Sequence, residues 1–475
     1  MNEASQLIYP TFTLFLYDLR EELGQDADKV RQNSHRFWRK VEPVLDRDYD
    51  ALDDAALQKL DRLTAVEKPE AIAVELFAEL SDDALEGRRS LGDDLDGYFY
   101  ALQLGDIYAL QVNYAGKRQT AAQLEYAAKS LDRVPELQKD LLTFLNHNDC
   151  QSDLDLEKQG SIGQTWLLWA KLPGNHPESS QVARACRRQL IPEGQWDKVK
   201  PVQGRFVGAN LYEVWQAPTD WAHPSRENQH LIVLLFPPRL SVESVRTTMD
   251  AIYPHLIRLF CYRNKIVWAY SRSRALKRQL KADYIAIETT MDNLSVQIGD
   301  RPLSLDLVRS QLADTLTLAS RYVHHLNDLD HQARIIRSNL ANYTNQIKKI
   351  SELDPDSQLG VFSEFADGPA ETYRLQIETD RARFEVGSAL LKNIISTLRG
   401  AIEIQQVTPD RDLTPSIVSV GVGVATTQAV GLAWLARSKP SESSVSPFFG
   451  LLLSLVAGVV SAFVVWKLYR SRSHS

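Results

Sequence analysis

YFYALQLGDIYALQVNY, residues Tyr98 to Tyr114, decides how the first third of this 475-residue chain is read. Its two β-favouring halves flank Gly105-Asp106, a dipeptide suited to a two-residue hairpin turn. The frequent Ala and Leu also allow a single helix broken at Gly105. As a hairpin, the stretch carries Tyr98, Tyr100, Tyr108 and Tyr114, for which filling a half-buried sheet is the expected role and lining a ligand face the alternative.

Around it, residues 1–150 read as a mainly helical, acidic region. Leu14, Leu16, Tyr17, Leu19 and Leu23 fall loosely at helical spacing before Gly24. Residues 42–96 hold 17 Asp and Glu against 6 Lys and Arg. The plain interpretation is a solvated acidic face on short helices; the functional one is a docking surface for a basic protein partner or a diffuse cation site. No EF-hand spacing occurs there. Helices are expected at 120–131 and 135–145, then a polar linker from His147 to Gly160.

From Thr165 short apolar runs alternate with helical ones: 165–172, 205–215 and 230–236 as strands, 178–190 and 242–256 as helices. That order predicts a β-α-β-β-α sandwich over 161–270. It contains no GxxxxGK[ST] and no GxGxxG after a strand, so no nucleotide cofactor is implied. The chain also lacks a Gly-x-Ser-x-Gly elbow, and its three cysteines form no CxxC pair, which fits a reducing compartment.

Residues 251–282 hold eight Lys and Arg and no acid. Arg272, Arg274, Lys277, Arg278 and Lys281 are candidate contacts for anionic lipid or an acidic partner; pairing with acids elsewhere in the chain is the plainer role. A net charge of -7 argues against nucleic acid.

A strict 4-3-4-3 series follows: Tyr322, Leu326, Leu329, Ala333, Ile336, Leu340, Tyr343, Ile347 and Ile350. Asp354-Pro355-Asp356 ends it, and Tyr373, Ile377, Asp380, Phe384, Gly387, Leu391, Ile394, Leu398 and Ala401 form a second. The two predict an antiparallel coiled-coil stalk over 271–406. On its first arm His324, Asp328 and His331 share one helical face as a weak metal candidate, with a polar outer face as the plainer reading, because one helix cannot close a zinc site.

Two runs near the C-terminus, Ile417 to Ala436 and Phe448 to Trp466, contain no Asp, Glu, Lys, Arg or His. Each is about the ~20 residues that cross a bilayer as a helix, which predicts a transmembrane hairpin over 416–467 and a basic tail, 468–475. The mean hydropathy of -0.28 keeps the rest of the chain in water. Gly421, Ala425 and Ala429 on the first span, and Gly450, Ser454, Gly458 and Ala462 on the second, form small-residue stripes suited to helix packing. Gln428 is the strongly polar intramembrane group. Five basic residues beyond the spans (Arg399, Arg411, Lys467, Arg470, Arg472) against two between them (Arg437, Lys439) place both termini in the cytoplasm. The N-terminus lacks the basic segment of a signal peptide.

This layout resembles that of the CorA-type divalent-cation channels, with a cytosolic α/β domain, a helical stalk and two C-terminal spans. That family's Gly-Met-Asn is replaced here by Leu435-Ala436-Arg437-Ser438, so no selectivity residue carries over. The expected fold is mainly α with a small α+β domain. The expected function is a non-enzymatic, membrane-anchored scaffold or sensor that forms a homo-oligomer through its coiled coil and spans. A small ion channel with a cytosolic gating domain is the alternative, and a membrane-surface enzyme with a site in 161–270 the second.

Overall fold

The computed structural model describes residues 6–407 except 46–47, 69, 81–86, 121–127, 146–159, 191–201, 216, 219–220, 222–229 and 301–303, and excludes the side chains of 295–300 and 404–407. The chain divides into two compact units, one built from 1–274 with 332–375, the other from 275–331 with the residues from 376 on. The transmembrane hairpin, its packing stripes and Gln428 lie outside the described residues. Among those described, no helix is long and apolar enough to cross a membrane.

The fold is mixed α/β: a ten-stranded sheet accompanied by long helices. The strands are β1 (Gln6–Leu19), β2 (Ala73–Glu75), β3 (Arg88–Ser90), β4 (Leu95–Leu104), β5 (Ile107–Lys117), β6 (Ala128–Ser130), β7 (Gly163–Lys171), β8 (Val202–Phe206), β9 (Ala209–Trp215) and β10 (His230–Phe236). The helices are α1 (Ala27–Trp38), α2 (Asp54–Thr64), α3 (Arg133–Leu145), α4 (Ser179–Leu190), α5 (Val242–Asp300), α6 (Leu305–Leu353), α7 (Gly360–Phe365) and α8 (Glu371–Val407).

The hairpin is present as β4 and β5, with Leu104 opposite Ile107 and Gly105 at φ 59°, where a side chain is disfavoured. Strand β5 then pairs with β1, which is antiparallel to β7 on its other side. The expectation of a mainly helical N-terminal region is therefore corrected. Phe12, Leu14 and Leu16 enter a core with Phe37 and Trp38 of α1, Leu60 of α2, Leu141 of α3 and Cys186 of α4. Thr13, Phe15 and Tyr17, on the opposite face, meet Tyr253, Phe260 and Ile257 of α5. A strand buried on both faces carries apolar residues at successive positions, which imitates loose helical spacing. Tyr9-Pro10 is accommodated by a bulge between Ile8 and Thr11, with Tyr9 at φ 50°.

The separate β-α-β-β-α sandwich is corrected as well. Strand β7 joins β1, β10 runs parallel to β7, and the sheet order is β2-β4-β5-β1-β7-β10-β9-β8, so one sheet runs through both 1–150 and 161–270. The expected single strand 205–215 is a hairpin, turned at Val207 (φ 45°) and Gly208 (φ 81°). Residues 128–130, within an expected helix, form β6.

In the other unit α5, α6 and α8 are tied by polar contacts. Lys277 donates to the fully buried Asp380 at 2.8 Å, and Asp283 receives Arg321 at 2.7 Å and His325 at 2.9 Å. The Tyr322 hydroxyl donates to the Phe384 carbonyl, and Arg381 reaches Asp330 at 2.6 Å, so α6 and α8 run in opposite directions here. Tyr322, Leu329, Ile377, Leu391, Ile394 and Leu398 of the two apolar series are buried. Helix α6 stops at Leu353, ahead of Pro355.

Gly97, beside a bulge in β4, tests the tight β4–β5 pairing: a Cβ there would lie 2.5 Å from the Asn113 carbonyl oxygen. Gly97→Ala is expected to cost about 1–3 kcal/mol, the usual penalty for overpacking, read as a lower urea midpoint at unchanged m-value. An unshifted midpoint would show that the strands part freely.

Candidate functional site

The sheet face under α5 carries polar side chains at alternate positions: Thr13 and Asn113 near the middle, Thr165 on β7, His230 on β10, and Glu213 with Trp215 on β9. In the β9–β10 register His230 stands opposite Trp215, and Glu213 opposite Ile232. Because α5 covers this face, each polar group must bond within the protein.

Two networks result. In the first, Asn113 Nδ2 and Trp169 Nε1 both donate to the Tyr253 hydroxyl oxygen, at 2.8 and 2.7 Å. The single Tyr253 proton is then directed to Thr13 Oγ1, 2.9 Å away. In the second, Asn264 Nδ2 donates to Thr165 Oγ1 at 3.1 Å, Thr165 Oγ1 lies 2.9 Å from His230 Nδ1, and His230 Nε2 lies 2.8 Å from Glu213 Oε1. Burial, followed by the neighbouring Arg263 charge, pushes His230 down to about 4, so the ring is neutral. Its one proton sits on Nε2 facing the carboxylate, and Nδ1 accepts from the threonine.

Arg263 of α5 completes the second network. It is fully buried, with Nη2 3.6 Å from Glu213 Oε1 and its guanidinium carbon 4.4 Å from the ring centroids of both Trp215 and Phe365. Those rings stand nearly perpendicular, so the cation fills an aromatic corner. Among the described residues, none of its nitrogens has a hydrogen bond meeting ordinary geometric limits. Burial pushes the guanidinium down from its usual value, with Glu213 opposing. For Glu213 burial pushes upward, but the hydrogen bond from His230 and the Arg263 charge outweigh it and hold the carboxyl below its ordinary range.

Thr165, His230 and Glu213 stand in the order of nucleophile, base and orienting acid. Thr165 and His230 are 0% exposed, however, so attack on a substrate is denied to them as they stand. What the arrangement does is fix β7, β10, β9, α5 and α7 to one another through one balanced charge pair.

The residues singled out from the sequence are dispersed. His324 Nε2 and Asp328 Oδ2 lie 3.4 Å apart, with the histidine side chain 74% exposed, and among the described residues no group of three potential ligands could hold a metal. The neighbouring His325, not selected, bonds Asp283 instead. Arg272 lies 3.4 Å from Glu22, Arg274 covers the Tyr270 ring, Lys277 is committed to Asp380, and Arg278 and Lys281 are exposed. Arg263 and His230 went unselected. Their signal was slight: Arg263 stands in LIRLFCYRNKIVWAY, where Arg258 and Lys265 make it one of several cations and only the apolar residues around it hint at burial. No family model matches the chain, and no curated protein matches it.

Two outcomes follow from the charge balance. As pH falls from about 6.5 to about 4 the unfolded chain binds a proton that buried His230 does not, so stability should fall by on the order of 3 kcal/mol from this group. Arg263→Met removes the neighbouring cation and so moves His230 up from about 4, while burial, the larger influence, still holds it down. The variant therefore loses less stability than the wild type as pH falls below about 6.5. Denaturation midpoints should show Arg263→Met closer to wild type at pH 5 than at pH 8; a pH-independent gap would refute the coupling of Arg263 to His230.

Proposed function

We propose that this chain is a membrane-anchored scaffold or sensor without an enzymatic role. The observation that carries the reading is the pair of uncharged apolar runs, Ile417 to Ala436 and Phe448 to Trp466, each of spanning length. The described part supports it in a second way. Its buried polar groups are engaged in packing strands and helices together, as in the Tyr253 and Glu213 networks, and its cationic candidates Arg272 and Lys277 are engaged by Glu22 and Asp380.

In this reading the helices of 271–406 form a coiled-coil stalk, 416–467 form a hairpin anchor, and both termini face the cytoplasm. The lipid bilayer and a second copy of the chain are its first partners. The acidic region 42–96 serves as a surface for a basic protein, although Glu42 and Glu79 already engage Arg89 and Lys68.

Membranes from cells expressing the full chain, washed with alkaline carbonate, should retain the protein in the pellet, and a C-terminal epitope should be reached by antibody only after the cytoplasmic face is opened. Release into the supernatant would remove the anchor and the function built on it.

A further inference from the structure

Two buried donors in one aromatic corner of the sheet unit have no acceptor. Arg263 is 0% exposed and, among the described residues, none of its three guanidinium nitrogens makes a hydrogen bond. Tyr373 is 6% exposed, and its buried hydroxyl is in the same condition. Burial pushes that hydroxyl up from its usual value and the Arg263 charge opposes it, so the group keeps its proton and the two donors lie within electrostatic reach of each other. Acceptors of the corner already serve other donors: the Phe362 carbonyl takes the Tyr343 hydroxyl at 3.1 Å, and Glu213 Oε1 takes His230 Nε2 at 2.8 Å. Glu213 stands 3.6 Å from Arg263 Nη2, longer than the roughly 2.7–2.9 Å of a charge-assisted hydrogen bond. The guanidinium charge is therefore incompletely met.

We propose that Arg263 and Tyr373 together bind a small monovalent anion of halide size, such as chloride. A buried donor without a partner is costly, and both groups only donate here, so the ligand that relieves them is one that accepts and needs no donor in return. Water would accept from both but bring two hydrogens of its own to face the rings of Trp215 and Phe365. Those rings limit the size of the guest, since each centroid lies 4.4 Å from the guanidinium carbon, and Tyr270 stacks on Tyr373 at 4.0 Å. Arg274, 4.6 Å from the Tyr270 centroid, adds a second positive charge beside that stack. Tyr270 and Trp221, packed against Tyr373, are half-buried, so one aromatic layer parts the corner from solvent there. An ion that sheds its water readily enters by displacing rings and not backbone. The site stands apart from the membrane anchor and does not rest on it.

The test uses the purified full chain in mild detergent, melted at fixed ionic strength while gluconate, too large for the corner, is replaced stepwise by chloride or bromide. The wild-type melting point should rise, by about 2–4 °C for each tenfold increase in halide above the dissociation constant. Tyr373→Phe should lose most of that rise. A wild-type melting point that ignores halide would overturn the proposal, and so would a rise of equal size in Tyr373→Phe, which marks a general salt effect. Should the variant fail to fold, wild-type crystals soaked in bromide supply the answer. Anomalous scattering should place bromide between Arg263 and Tyr373, and water alone at that position would overturn the site. Release of the chain from membranes by carbonate would remove the anchor and leave these outcomes unchanged.

Discussion

Placing α5 over a sheet face that carries Thr13, Asn113, Thr165, His230 and Glu213 is the constraint on which the rest of the sheet unit depends. Water is excluded there, and an unpaired buried donor or acceptor costs about 1–3 kcal/mol. The groups can therefore share this face only by bonding one another in fixed geometry. Tyr253 supplies one hub and Glu213 the other. Between them they set the position of α5 against β1, β5, β7, β9 and β10.

The Glu213 hub has the weaker margin. A buried ion pair is costly to desolvate and contributes modest net stability, yet removing one partner strands the other. Arg263 is held at 3.6 Å from Glu213 and in the corner between Trp215 and Phe365. Burial, and after it the Arg263 cation, keep His230 neutral. The helical unit uses the same device at Asp283 and Asp380, whose charges sit among apolar layers and pair with Arg321, His325 and Lys277. Such pairs tolerate one alignment of the helices and penalise slipped ones, because a shift of one turn leaves a carboxylate buried without its cation.

The Tyr98–Tyr114 hairpin was legible because its turn chemistry and its strand propensity agree locally. The β1 strand was not, because burial of both faces removes the alternation that marks a half-exposed strand. The same cause hid the candidate site. Thr165, Glu213 and His230 lie on separate strands with no motif spacing to join them, and only the helix laid over them makes them interior. Heptad spacing found the buried sides of α6 and α8, but the stacking of His324 with Asp328 and His331 described an exposed surface, while His325 found the carboxylate.

By itself the sequence determined where uncharged runs of spanning length fall, where proline stops α6, and which helical faces are apolar, since these follow from residue type and local spacing. Tertiary structure alone decided that one sheet takes strands from both ends of the first 236 residues, that Arg263 lies inside, and which partner each buried charge takes. These depend on contacts between residues far apart in the chain, such as Tyr253 with Thr13 and Asn113. Local periodicity carries no record of such distant pairings.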